Sequence, residues 1–374
     1  MRKLASVKKV RAIYPIENAD RIELAQLDDW TCIVKKGEFA VNDFAIYFEI
    51  DSLLPEEPRY SFLEKSKKEY DGIIKYRIRT MKMKKVLSQG LALPLHMFPE
   101  LYVYEEHQDV TEKLNITKYE QQEHTQSFHT GDPSGKFPSF IPKTDQERIQ
   151  NLPSYYEIYK DHLWEETKKL DGSSLTAYKV IRQKPTKLWT RFIEFFTRPP
   201  IYHFGVCSRN LELKRTDNFK TTFNNNGKES EYNQSDFWKI AIEFELEKYL
   251  PIGFAVQGEL IGPKIQANHE KVDHLDFYIF SIFDIDKQHY LFPEEHCYFF
   301  HKYFTGNPKI KYVPVVNSSI PIFRICTDLE QLQKRVTGES INPNTISEGR
   351  VYKSCTIRGL SFKCVSNEYL LKYE

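Results

Sequence analysis

The sequence predicts an α+β protein in two parts, a small N-terminal β-barrel at residues 1–118 and a larger domain of antiparallel sheets with flanking helices at 141–374. Three observations carry that reading. Up to about Leu114 the chain falls into short runs, several of them rich in β-branched residues, separated by turn formers. Residues 119–140 shift to Gln, His, Ser, Thr, Gly and Pro, including Gly131-Asp132-Pro133-Ser134-Gly135, and with little to bury they read as a linker. At 374 residues the chain is long for one core and comfortable for two.

Composition excludes several classes. Hydrophobic residues at 40% and charged residues at 28% describe an ordinary soluble globular chain. The formal net charge is +1, so affinity for a polyanion has to come from local patches and not from a global field. Cys32, Cys207, Cys297, Cys326, Cys355 and Cys364 show no CxxC or Cys/His spacing, which argues against a structural zinc site and a disulfide framework. No apolar run follows Met1-Arg2-Lys3 and no stretch is long enough to span a bilayer, so the expected location is intracellular, cytoplasmic or nuclear.

In the first part, Leu4 to Ile13, Arg21 to Leu27, Thr31 to Val34 and Phe44 to Ile50 read as strands. Glu17-Asn18-Ala19-Asp20-Arg21 resembles a stretch of OB-fold RNA-binding modules. Over Lys75 to Lys85 a strand would place Lys75, Arg77 and Arg79 on one face, opposite Tyr76 and Ile78, with Lys82 and Lys84 continuing the pattern against Met81 and Met83. Lys75, Arg77, Arg79, Lys82 and Lys84 are therefore the candidate nucleic-acid contacts, a basic stripe suited to tracking phosphates. The same stripe equally fits a solvated outer strand that lysines keep from edge pairing.

In the second part, Asp145 to Leu152 reads as the start of a helix from which Arg148 can point back at a pocket. Strands around Lys169 and over Leu175 to Ile181 come next, followed by a basic and aromatic interval at 182–203 and a polar loop at 218–235. Asp236 to Leu250 reads as one helix, with Asp236 as N-cap and Pro251 closing it. Phe254 to Leu260 and Phe277 to Asp284 read as buried strands, Asp328 to Arg335 as a helix, and Val351 to Cys355 and Leu360 to Val365 as final strands.

Lys169-Leu170-Asp171-Gly172 is the stretch that carries chemistry. A lysine two residues before Asp-Gly reads either as a strand ending in a turn or as a nucleophile at a pocket edge, where Gly allows a sharp turn and the Asp steadies a metal shell. An amine attacks only when neutral, so such a lysine needs burial or nearby cations to lower its pKa from about 10.4.

Ser208-Arg209-Asn210, Val256-Gln257-Gly258-Glu259, Phe277-Tyr278-Ile279-Phe280, Glu348-Gly349-Arg350-Val351 and Ser361-Phe362-Lys363 follow Lys169 in order. That order resembles the motifs of the covalent nucleotidyltransferase superfamily, which holds the ATP-dependent polynucleotide ligases and the mRNA capping enzymes. Lys143-Thr144-Asp145-Gln146-Glu147-Arg148-Ile149-Gln150-Asn151-Leu152 and Glu259-Leu260-Ile261-Gly262-Pro263 narrow the resemblance to RNA ligases of the Naegleria and Deinococcus type, over most of the chain.

The resemblance implies an OB-like domain followed by a ligase-type nucleotidyltransferase domain. It implies an ATP-dependent RNA ligase that forms lysyl-AMP at Lys169, adenylylates a 5′-phosphate RNA end and joins it to a 3′-hydroxyl, at nicks in duplex RNA or RNA/DNA hybrid. Mg²⁺, or Mn²⁺, would be held by Asp171, Glu259 and Glu348. Lys363 would contact the α-phosphate, Arg209 the ribose or phosphate, and Arg148 the outgoing phosphates, with Lys168 and Leu170 beside the nucleotide. Phe280 would stack on adenine, with Phe283 as its rival. Many relatives carry a second lysine two residues after the first in the last motif. That position is Val365 here, and Lys372 is the candidate replacement.

The chain runs only about ten residues beyond Lys363, which leaves no room for the C-terminal OB domain of DNA ligases and capping enzymes. A capping-type guanylyltransferase is thereby disfavoured. An RNA-binding protein on a degenerate transferase scaffold is the alternative from another class, and no protein partner can be inferred.

Overall fold

The computed structural model describes residues 3–70, 72–119, 131–182, 201–215, 221–223, 229–231 and 235–373. The expected interval at 182–203 and the polar loop at 218–235 lie mostly outside the described residues. Among the described residues no helix is long and apolar enough to cross a membrane.

Before residue 119 the strands are β1 (Ala5–Pro15), β2 (Ile22–Leu27), β3 (Trp30–Lys35), β4 (Phe44–Phe48), β5 (Ser52–Pro55), β6 (Lys67–Tyr70), β7 (Ile73–Arg77), β8 (Thr80–Met83), β9 (Val86–Gln89), β10 (Leu91–Pro94) and β11 (Thr117–Lys118). One sheet has the order β10-β4-β1-β2-β3 and a second β11-β5-β7-β6. Ala5 to Lys9 of β1 pair with β4, Val10 to Pro15 pair with β2, and a register shift between Val10 and Ala12 bends the strand from one partner to the other. The bend curls the sheet over Val10, Ala25, Trp30, Cys32 and Tyr47, while Val7, Ile46, Phe48, Leu54, Tyr60 and Tyr76 form a second core. Alternation in β7 is as expected, with Tyr76 and Ile78 buried, Lys75 and Arg77 half-buried and Arg79 exposed. It does not continue through Lys82 and Lys84. The strand ends at Arg77, and β8 pairs only with β9 in a two-stranded hairpin where Met81, Lys82, Met83 and Lys84 are all exposed.

The second part contains β12 (Pro133–Lys136), β13 (Glu147–Arg148), β14 (Trp164–Lys169), β15 (Ser173–Ile181), β16 (Tyr202–Cys207), β17 (Leu211–Leu213), the β18–β19 hairpin (Thr221–Phe223 and Glu229–Glu231), β20 (Phe254–Ile261), β21 (Asp276–Asp284), β22 (His289–Tyr290), β23 (Lys311–Tyr312), β24 (Val315–Ile320), β25 (Gly349–Ser354) and β26 (Ser361–Val365). They build an eight-stranded sheet, β12-β17-β16-β15-β20-β21-β22 with β23 on β21, and a five-stranded sheet, β13-β26-β25-β14-β24. Residues 133–136, read from composition as linker, pair with β17. Leu175 and Ala177 of β15 pack with Phe237, Ile240 and Ala241 of the helix Asp236–Glu243, whereas Ser174 and Thr176 turn to the opposite, polar face. The helix Leu329–Val336, capped by Asp328, packs Leu332 and Val336 against Trp164, Tyr352 and Phe362 under the smaller sheet.

Two expected helices differ. Asp145 to Leu152 is not a helix start: Glu147 and Arg148 pair in parallel with Phe362 and Lys363, and only a 3₁₀ turn, Ile149–Asn151, follows. Sheet pairing with a strand two hundred residues away overrides the local preference. The helix expected over 236–250 breaks in two, Asp236–Glu243 and Leu246–Tyr249, because Glu245 sits at φ 48° and the Asn307 side chain takes the Phe244 carbonyl at 2.7 Å. Its N-cap is Ser235, whose hydroxyl accepts from the Trp238 N–H, and not Asp236.

Candidate active site

The two sheets of the second part are joined through the Lys169 turn. Lys169, the last residue of β14, pairs with Gly349 in the smaller sheet, and Ser173, the first of β15, pairs with Leu260 in the larger one. Leu170, Asp171 and Gly172 make the crossing. Gly172 is required by crowding: a Cβ there would lie 2.3 Å from the Leu260 carbonyl oxygen. Gly349, at φ 148°, would place a Cβ 2.1 Å from the Cys364 carbonyl, so only glycine keeps Glu348 beside the lysine.

Around this turn opens a cleft of about 700 Å³ that brings together Lys168, Lys169, Leu170, Asp171, Glu259, Phe280, Glu348, Lys363, Arg148 and Arg209. Lys169 Nζ lies 2.6 Å from Glu348 Oε1. Burial pulls its pKa down, but Glu348, Glu259 and Asp171 outweigh burial and hold the amine above its ordinary range. The direction is opposite to what a nucleophile needs. Burial pushes Glu259 up to about 8, with Lys169 opposing and Glu348 and Asp171 reinforcing. Glu348 Oε2 is buried without a hydrogen-bond partner. Three carboxylates face one amine, and two of their oxygens, Asp171 Oδ2 and Glu348 Oε2, are buried without a hydrogen-bond partner. The three do not converge closely enough to ligate one ion directly, so as an all-oxygen set they would hold Mg²⁺ or Mn²⁺ through its bound waters.

At one end the cleft is apolar. Leu170 packs with Ile261 and Val313, and Phe280 lies against that cluster. Phe280 faces the cleft because β20 and β21 slip register there: Gln257 opposes Ser281 and Gly258 opposes Ile279, so Phe280 sits in a bulge that re-aims its side chain. Phe283, the rival, is buried on another cluster with Tyr178 and Ala255 and packs edge-on against Tyr290. Lys353 also lines this end. Burial pulls it down to about 8, Glu165 opposing, and its Nζ donates to the Phe280 carbonyl. Lys168 is tied down elsewhere, its Nζ donating to the carbonyls of Ser340 at 2.7 Å and Glu339 at 3.1 Å.

The other end is cationic and includes residues of the N-terminal part. Arg148 Nη1 is buried without a hydrogen-bond partner. Asp145 stands among Lys118 (2.8 Å), Lys363 (3.5 Å) and Arg209 (3.7 Å). Burial would raise its carboxyl, but Lys363, Lys118 and Arg209 hold it well below the usual carboxylate range. Arg77 turns into the cleft, paired with Asp51 at 2.6 Å and lying 3.5 Å over the Tyr119 ring. The remaining stripe residues are elsewhere: Lys75 donates to Thr117 Oγ1, Lys82 to the Leu371 carbonyl, and Arg79 and Lys84 are exposed. Lys372 is exposed over the Tyr373 ring and does not line the cleft, so it does not take the place of a second motif lysine; Val365 is buried against Tyr369 and Leu370.

Sequence reasoning missed Asp145, Lys118 and Lys353 as cleft residues. Asp145 lies inside the Lys143 to Leu152 run that carries the resemblance, which is the signal for it. Lys118 and Lys353 carried no local signal.

A family model for RNA ligase matches residues 162–373, and one for an OB-fold domain matches residues 4–95. Solved structures of Naegleria gruberi RNA ligase are similar to the whole chain. A mutant with AMP and Mn is 37% identical with a TM-score of 0.79, covering 100% of this chain and 99% of that one. A mutant with ATP and Mn, and the enzyme with PPi, are each 37% identical with a TM-score of 0.78 and the same coverage. No curated protein sequence matches.

Proposed function

The chain belongs to the RNA ligase family and is an ATP-dependent RNA ligase, and from that premise we propose that it seals RNA through a lysyl-AMP intermediate at Lys169. The observation that carries the proposal is the position of the Lys169 amine, among Glu348, Glu259 and Asp171, between an apolar and a cationic end of one cleft. Adenine lies against Phe280 and Leu170 at the apolar end. The triphosphate extends past Lys363 and Arg209 to Arg148, Lys118 and Arg77, whose charges favour the departing pyrophosphate. Asp145, an anion among those same cations, holds them in place until phosphates arrive.

Lys169 Nζ uses its lone pair to form a bond to the α-phosphorus while the bond to the α–β bridging oxygen breaks, and pyrophosphate leaves with that electron pair. Glu348 Oε1, 2.6 Å from Nζ, is the nearest acceptor for the lysine proton. Asp171, Glu259 and Glu348 would hold the divalent cation, which when bound would supply positive charge that favours the neutral amine and offsets charge on the transferring phosphate. The AMP then moves to an RNA 5′-phosphate, and a 3′-hydroxyl displaces it. For a nicked duplex the exposed basic residues Arg79 and Lys84 of the N-terminal part are the backbone contacts we favour.

A label chase tests this. Protein charged with α-labelled ATP and freed of nucleotide should pass its label to a 5′-phosphate at an RNA nick and then release it as the nick is sealed. Charging with GTP in place of ATP, or a charged protein that cannot pass its label to RNA, would contradict the proposal.

A further inference from the structure

Asp171 is reached by a loop that its own motif does not include. Between β20 and β21, His269 places Nδ1 2.7 Å from Asp171 Oδ2, an ion-pair contact to an oxygen that is buried and makes no hydrogen bond. The next residue, Glu270, is buried and accepts from the Asp171 N–H at 3.3 Å and from the Ser340 hydroxyl at 2.8 Å. Two consecutive residues thus grip Asp171, one at its carboxylate and one at its backbone. The imidazole is itself braced. The one hydrogen that Nδ1 can carry hydrogen-bonds the Tyr369 hydroxyl oxygen at 2.7 Å, which sets the ring beside Asp171, and the ring stacks on Tyr373 at 4.1 Å and 19°.

Tyr369 and Tyr373 belong to the C-terminal helix Asn367–Tyr373, which is held from its other side: Leu87 of the N-terminal part packs with Val365, Tyr369 and Leu370, and Lys82 donates to the Leu371 carbonyl. The helix therefore lies between the N-terminal hairpin and His269. A carboxylate that rotates freely on a turn holds a cation's waters poorly, because fixing it costs side-chain entropy at every binding event.

We infer that His269 is a positioning residue for this ligase: braced by the C-terminal helix, it fixes the Asp171 carboxylate in the orientation that receives the divalent cation. The inference rests on the reading of Asp171 given under Proposed function. Val365 packs against Tyr369 and Leu370 and so helps seat the helix that bears Tyr369 and Tyr373.

The test uses the full chain and Mn²⁺ alone as probe, with binding read from the electron paramagnetic resonance of free Mn²⁺. His269→Ala should weaken Mn²⁺ binding about tenfold or more, the range typical of groups that orient metal ligands. His269→Asn, whose amide can donate from near the Nδ1 position, should recover most of that loss although it cannot stack on Tyr373. In adenylylation assays the Mg²⁺ concentration for half-maximal rate should rise by the same factor in His269→Ala, with the KM for ATP at saturating Mg²⁺ unchanged. Equal Mn²⁺ affinity in the Ala and Asn variants overturns the inference, since loss of the stacked ring would then explain both. If Asp171→Asn weakens Mn²⁺ binding and His269→Ala does not, the inference alone falls. If Asp171→Asn changes nothing, the metal role of Asp171 falls with it.

Discussion

Phe280 and Phe283 sit three residues apart in one apolar strand, and the structure assigns them opposite fates that a pair of alanine substitutions should separate. Phe280 is half-buried, packed on the Leu170, Ile261 and Val313 cluster with the rest of its ring in the cleft. Losing a stacked base–aromatic contact costs ~1–3 kcal/mol. Phe280→Ala should therefore raise the KM for ATP in Lys169 adenylylation by about 5- to 150-fold, with a small effect on thermal unfolding. Phe283 is 3% exposed and makes no contact with the cleft. Truncating a buried Phe costs ~3–5 kcal/mol of folding stability, so Phe283→Ala should lower the melting temperature by roughly 6–20 °C in a domain of this size and leave the KM for ATP within twofold below that temperature. Steady-state adenylylation and scanning calorimetry on the two variants give both numbers. A KM that rises in Phe283→Ala and stays put in Phe280→Ala would refute the register slip at Gly258 as the device that selects the stacking ring.

Arg77→Ala should slow adenylylation, because Arg77 faces the nucleotide cleft, whereas Arg79→Glu with Lys84→Glu should leave adenylylation nearly intact and impair sealing of nicked RNA; equal loss in both assays would return Arg77 to the outer stripe. Asp145 has a depressed folded pKa, so the stability it contributes is present above the ordinary carboxylate range near 3.9 and is lost as pH falls below it. Asp145→Asn should accordingly lower the melting temperature at neutral pH and flatten its decline in acid, and parallel curves for variant and parent would contradict the cationic cage. Lys372→Ala should adenylylate and seal at the parent's rate, since Lys372 lies outside the cleft; a loss in adenylylation alone would restore it as the candidate second motif lysine.

The candidate catalytic cluster was legible because sequence order maps directly onto strand pairing here: Lys169 beside Gly349, Ser174 beside Glu259, and Lys363 beside Val351 put the motif residues on two sheets that share a turn. What the sequence hid depends on contacts between distant segments. A bulge leaves no mark in an apolar run, so alternation could not choose Phe280 over Phe283. The two-residue parallel pairing of Glu147 and Arg148 with β26 replaces a helix that local propensity favoured. Alternation in β7 correctly separated Arg77 from Tyr76, yet it could not say that the basic face at Arg77 looks into the Lys169 cleft. His269 is a single histidine in a loop, and only the approach of Asp171 on one side and the C-terminal helix on the other gives it meaning.

The central claim is that the Lys169 amine becomes bonded to AMP. Protein incubated with ATP and Mg²⁺, digested and mapped by mass spectrometry, should carry one acid-labile AMP on the peptide containing Lys169, and both Lys169→Ala and Lys169→Arg should carry none, the guanidinium remaining protonated. AMP on any other residue, or an undiminished adduct in the Lys169→Ala protein, would contradict the account.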